Sequence, residues 1–287
     1  MTEQREDDDI NESLGLFEAA LHAKAMDLPP PVLSKLLVVL DGSDQDSAAM
    51  AFGAALGDRL LIPISTREKP AGTCEVNGAA QPILDAAAKE AASLIVLPAP
   101  FGDDLHTLED KSLSVTIDML LLNSPLPLFV VRDSMEAPAE VLKRPLVLTD
   151  WHPERQAFLG SWGAHFARGG NLFVLAVPDP EVLEAIAHLA GDDEEGVEMR
   201  SALVDRAETR LAGSLIAALQ RKGQAEDFEM IFEVKVGMEP AAEAARLAEA
   251  EDRFIICAYK KSRGSASLGH AHATILRSRV PVLAIGL

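Results

Sequence analysis

Runs of five to eight apolar residues alternate along this chain with stretches in which apolar positions recur every three or four residues. The first pattern marks strands buried on both faces, and the second marks the helices that cover them. The first strong strand is KLLVVL at 35–40, closed by Asp41-Gly42-Ser43. A helix is expected over 46–56, a strand over 59–65 and a short strand over 73–76, followed by a turn at Asn77-Gly78. A helix over 82–92 has Pro82 in its first turn, where the missing N–H costs nothing. A strand at 93–99, a helix at 112–122 and a strand at 127–131 complete the series. Residues 136–143, broken by Pro138, read as a linker.

The series then starts again. A strand at 144–149 ends in Asp150, a helix at 153–167 is stopped by Gly169-Gly170, and NLFVLAV at 171–177 closes on Val177. A short helix at 181–190 and an acidic loop at 191–196 precede a long amphipathic helix at 199–222. In it Leu203, Ala207, Leu211, Leu215 and Leu219 form a four-residue row. The strand at 227–236 alternates Phe228, Met230, Phe232, Val234 and Val236 on one side, and Gly237 ends it. A helix at 240–250, a strand at 253–259, a helix at 267–277 and a final strand at 281–287 follow. Strands alternating with helices in this way imply an open, doubly wound parallel sheet. The expected fold class is therefore α/β, with two Rossmann-like, five-stranded parallel sheets in tandem. The equivalent residues Asp41 and Asp150 stand 109 positions apart. The first unit is shortened, because it has only a loop where the second has the helix at 199–222. The expected domains are 1–31, an N-terminal helix and linker; 32–140, the shortened unit; and 141–287, the complete one. In the N-terminal segment Leu14, Phe17, Leu21 and Ala25 share a helical face, and Pro29-Pro30-Pro31 is a stiff spacer.

Composition narrows the function classes. The net charge of −19 opposes binding to a phosphate backbone or to an anionic membrane surface. The N-terminus MTEQREDDDI is acidic where a secretory signal is basic, and no apolar run is long enough to span a bilayer, so a cytoplasmic location is expected. Cys74 and Cys257 lie one in each half, outside any CxxC or Cys/His cluster. His270 and His272, two apart on a helix, lack the spacing of a metal-binding pair. The acidic runs at 6–9 and 192–195 lack the spacing of a calcium loop, and Ser43 has no nucleophile elbow around it. No metal site and no catalytic constellation is expected.

The blocks KLLVVLDGSDQDSAAMAFGAAL, ILDAAAKEAASLIVL after Gly78, AAEAARLAEAEDRFIIC after Gly237-Met238-Glu239-Pro240, and the endings SPLPLFVV and SRVPVLAI resemble the universal stress protein family in its tandem form. The resemblance covers about residues 35–287. It implies a five-stranded parallel sheet per unit, dimer-like pairing of units, a stress-response role and, in some members, ATP binding at a G-x-x-G turn after the fourth strand. The first half carries Pro98 and Phe101 at those glycine positions, with Asp103, Asp104, Glu109 and Asp110 nearby. It is expected not to bind ATP in the family manner. The second half carries Ala258 and Lys261 there. It nevertheless supplies positive charge from Lys260, Lys261 and Arg263, and an anion-binding nest from Gly264, Ser265, Ser267 and Gly269. Asp150 matches the position that contacts the base in nucleotide-binding relatives. Trp151 is either a pocket wall or a packed residue between units, and Val177 and Gly237 close neighbouring strands.

The leading expectation is a non-enzymatic stress-response protein that acts by binding or association. The alternatives are a nucleotide switch binding ATP or another adenine nucleotide in the second unit, and an adaptor for a protein partner. The units are expected to pair either within the chain or between two chains.

Overall fold

The computed structural model describes residues 26–69, 79–101, 113–149, 153–177, 212–235, 238–259 and 269–287. In chain order the elements are β1 (Leu36–Leu40), α1 (Asp46–Leu60), β2 (Ile64–Glu68), α2 (Ala80–Lys89), β3 (Leu94–Pro98), α3 (Val115–Asn123) and β4 (Leu128–Val131). They continue with α4 (Pro138–Val141), β5 (Pro145–Thr149), α5 (Pro153–Ala167), β6 (Asn171–Ala176), α6 (212–226) and β7 (Glu229–Val234). The last are α7 (Pro240–Ala250), β8 (Phe254–Tyr259), α8 (Gly269–Arg277) and β9 (Val282–Gly286). The chain divides into two compact units. The larger comprises Pro31–Leu146 with Glu239–Leu287, and the smaller Met1–Pro30 with Val147–Met238, so that the boundary cuts β5. The fold is α/β with mostly parallel strands, as the alternation of apolar runs and helices implies.

In the larger unit the strand order is β2-β1-β3-β4-β9-β8. The β1·β2, β1·β3, β3·β4 and β8·β9 ladders are parallel. The β4·β9 ladder is antiparallel, with Leu128 opposite Ala284 and Phe129 opposite Leu283. The final strands of the two repeats thus add to one another within a single chain. Phe52 of α1, Phe129 of β4 and Phe254 of β8 form a row of rings with centroids 5.8 Å apart at each step. All three are fully buried. Two further contacts tie the repeats together. Arg132, just past β4, donates to the Ile275 and Leu276 carbonyls in the last turn of α8. His272 Nε2 stands 3.1 Å from Asp118 Oδ1, which joins α8 to α3.

Element ends differ from the sequence expectation where local chemistry decides. The run at 59–65 was expected to be strand throughout, but Arg59 and Leu60 finish α1. Leu61 then takes a left-handed φ of 55° and donates its N–H to Gly57 O, so the strand begins only at Ile64. An apolar triplet satisfies a buried helix end as well as a strand. The expected linker at 136–143 contains the single turn α4, with Pro138 in its first turn. The expected short strand at 73–76 lies outside the described residues.

In the smaller unit the order is β5-β6-β7, and β6·β7 is parallel. Gly163 of α5 lies against Val147 and Leu172, and Gly160 lies against Leu215 of α6. These two glycines let α5 close on the sheet and on its neighbouring helix. Gly169, at φ 64°, ends α5 and donates to Asp227 O, as the Gly-Gly stop implies. Along β7 Phe228, Met230 and Phe232 are more buried than Glu229 and Ile231, in keeping with the alternation. No helix among the described residues is long and apolar enough to cross a membrane.

Candidate functional site

Ligands of open parallel α/β sheets bind outside the carboxyl ends of the strands. In the first repeat that edge is built from the β1–α1 turn, the chain leaving β3 and the start of α3, all in the larger unit. Asp41-Gly42-Ser43 turns through Gly42, whose φ of 86° suits glycine. The Asp46 carboxylate accepts from the Asp41 N–H at 3.0 Å and the Gly42 N–H at 2.9 Å. Asp41 Oδ1 accepts from the Ser43 N–H at 3.0 Å. Burial, together with the neighbouring Asp41 charge, raises the Asp46 pKa, while the two backbone hydrogen bonds pull it down. The turn is acidic, and three amides that an anion would need are held by carboxylates.

The described chain leaving β3 is apolar. Pro98, at one of the positions expected of glycine, has no N–H. Phe101 is 1% exposed, and the ammonium of Lys69 lies over its ring, 6.0 Å from the centroid. At the start of α3, Ser114 Oγ accepts from the Ile117 N–H at 3.3 Å, and Ser114 O accepts from the Asp118 N–H at 3.1 Å. Thr116 Oγ1 accepts from the Ala79 N–H at 3.0 Å. Among the described residues of this edge, the Ile117 and Ala79 amides are thus bonded within the chain and Phe101 is buried.

The second repeat's expected site residues are only partly described. Val177 is buried at the end of β6, and its N–H donates to Thr149 O at 2.9 Å. Gly269 opens α8. Asp150, Trp151, Gly237, Lys260, Arg263, Gly264 and Ser265 lie outside the described residues, as does Cys74. One residue escaped the sequence reading. Tyr259, the only tyrosine of the chain, ends β8 at 2% exposure. Its hydroxyl has no hydrogen-bond partner among the described residues. Burial, with Cys257 beside it, pushes this phenol up to about 12. Buried hydroxyls are nearly always paired, so this one stands out at the carboxyl end of β8. The signal was a lone tyrosine ending an otherwise apolar strand. Among the described residues no group of three or more His, Cys, Asp or Glu is placed to hold a metal.

The architecture matches a universal stress protein from Archaeoglobus fulgidus with a TM-score of 0.55 and 14% identity, over 88% of this chain and 96% of that one. The fold is that of a universal stress protein. A structure of a hypothetical protein whose biochemical function was assigned from its structure matches 51% of this chain and 98% of its own at 16% identity. Its TM-score of 0.37 is too low to bear on the argument. No family model matches the sequence, and the search of curated proteins returns no match. Within this fold, the described β1–α1 turn of the first repeat is bonded internally, and Tyr259 of the second has a hydroxyl without a partner among the described residues.

Proposed function

We propose that the chain is a non-enzymatic stress-response protein that works by association, with its first repeat serving as scaffold. The observation that carries this reading is the described strand edge of that repeat, where Phe101 is buried and the Gly42 and Ile117 amides are bonded within the chain. The stress-response role is an analogy from the shared fold. Cys257 supports the non-enzymatic part. Burial holds its thiol up at about 12, the state least suited to nucleophilic attack. The test is equilibrium titration of the full chain with ATP and with ADP, each with magnesium. The expected result is no saturable binding up to millimolar nucleotide, and micromolar binding would overturn it.

A second reading, an adenine-nucleotide switch in the second repeat, is favoured by the buried, unpaired Tyr259 hydroxyl. Under it, ATP binds in the micromolar range, Tyr259→Phe weakens binding about tenfold through one lost hydrogen bond, and Gly264→Asp abolishes it. Phe101→Ala leaves binding unchanged under both readings, because the first repeat takes no part.

A further inference from the structure

The β4·β9 ladder is antiparallel and the β8·β9 ladder parallel, so the carboxyl end of β4 stands at the same end of the sheet as the amino end of β8. The chain leaving β4 meets there the turn from α7 into β8, where Asp252 takes a left-handed φ of 50°. These two segments, with α4 and Arg144, enclose a cavity of about 430 Å³. All of it belongs to the larger unit. Met135 and Val141 give it an apolar lining, and Ser134 adds a hydroxyl.

The charges around this cavity are not matched. Glu140 is held by Lys143 at 2.7 Å. Glu251, next to Asp252, is held by the buried Arg253 at 2.7 Å. Arg144, Glu136 and Asp252 remain. All three line the cavity, yet among the described residues none of them closes an ion pair. The half-buried Arg144 has a second guanidinium for a neighbour. Burial, and to a smaller extent the Arg144 charge, pull the Arg253 pKa down against the Glu251 carboxylate. The cavity is thus lined by one unneutralised guanidinium and two unneutralised carboxylates that do not reach it. An anion alone would meet Glu136 and Asp252, and a cation alone would meet Arg144. Only a molecule carrying both charges is matched throughout.

We propose that this cavity binds a small zwitterion of the α-amino-acid class. Its carboxylate lies against Arg144, whose planar fork suits that group. Its ammonium lies toward Glu136 and Asp252, and an apolar side chain packs on Met135 and Val141. A few placed polar groups on an apolar lining are the usual make-up of a small-molecule site. The site is separate from the strand edge that carries the association reading, so nucleotide titration and amino-acid titration can fail independently.

The experiment is NMR titration of the full chain, labelled with 15N, with each of the twenty amino acids. Saturable shifts of amides in 134–144 and 252–253 are expected with at least one aliphatic or thioether amino acid, at a Kd of about 1 mM or below. Its amide, which lacks the carboxylate, and its N-acetyl derivative, which lacks the ammonium, should each bind at least about tenfold more weakly. Arg144→Gln and Glu136→Gln should weaken binding to a similar extent and keep the native urea midpoint, since neither side chain is bonded within the chain. No saturable shift with any of the twenty, or shifts confined to other residues, would overturn the proposal. So would derivatives that bind as well as the parent amino acid, or undiminished binding in Arg144→Gln.

Discussion

Lys35 holds its ammonium 3.0 Å from Glu90 Oε2 and so ties the entry of β1 to the end of α2. Arg67 of β2 reaches the other carboxylate oxygen at 2.6 Å. One carboxylate thus fastens three elements, the entry of β1, the end of α2 and β2. Its hydrogen bonds from Ser65, Lys35 and Arg67 hold the Glu90 pKa down from 4.5 to about 2. A depressed carboxylate stabilises the fold above its unfolded pKa and loses that effect as pH falls through the folded one. The advantage of the native chain over Glu90→Gln should therefore be constant from neutral pH to about 4.5 and disappear between 4.5 and about 2. Urea midpoints of the two proteins across that range are the measurement. A difference that persists unchanged at pH 2 would contradict the assignment.

Gly163 is tested by adding one methyl group. A Cβ there would come within 2.5 Å of Val147 Cγ2 and 2.8 Å of Leu172 Cδ1, both on fully buried side chains. Valine is stiff at χ1 and cannot turn aside. Gly163→Ala should therefore destabilise by about 1–3 kcal/mol, in spite of the better helix propensity of alanine. Gly160→Ala is the control, since its single contact under 3 Å is with the far end of Leu215. It should cost less than Gly163→Ala in the same denaturation series.

The strands with unbroken apolar runs are readable from sequence, since LIVLP and the FIICA of β8 have no polar position to suggest an exposed face. Local pattern failed where two structures share one composition, as at Leu60 and Leu61, where helix end and strand start compete. It also carried no information on which strands become neighbours. The antiparallel β4·β9 ladder joins residues more than 150 positions apart, and only tertiary packing selects it. In the first repeat the sequence shows Pro98 and Phe101 where the family's turn has glycines. The role of Asp46 was not legible, because it reads as an ordinary first-turn acid until it is seen to bind two preceding amides. The position of Tyr259 at the end of an apolar strand explains its burial but gives no sign of its unpaired hydroxyl.

Arg132 offers a test of the junction between the repeats. Its guanidinium donates to the carbonyls of Ile275 and Leu276, the free acceptors at the negative end of α8. Arg132→Ala should destabilise by about 2 kcal/mol, the range for hydrogen bonds from a charged donor. Arg132→Lys should recover only part of that, because an ammonium cannot reproduce the fork. Hydrogen exchange of Leu283 and Ala284 locates the effect. In Arg132→Ala these β9 amides should exchange faster, while those of β6 stay as they were.

Cys257 provides the last prediction. It is 1% exposed in β8, and burial raises its thiol from 9.0 to about 12, with a hydrogen bond to Thr274 opposing part of that rise. A thiol whose pKa is raised on folding favours the fold while it is neutral. That contribution is complete below pH 9 and is lost as pH rises toward 12. In a Cys74→Ser chain, the remaining thiol should react with Ellman's reagent at pH 8 at least about 100-fold more slowly than in denaturant. Its rate is then set by opening of the strand and not by the thiolate fraction. A native rate close to the rate in denaturant would show Cys257 to be reachable in the folded chain, and would remove the argument that this thiol is chemically silent.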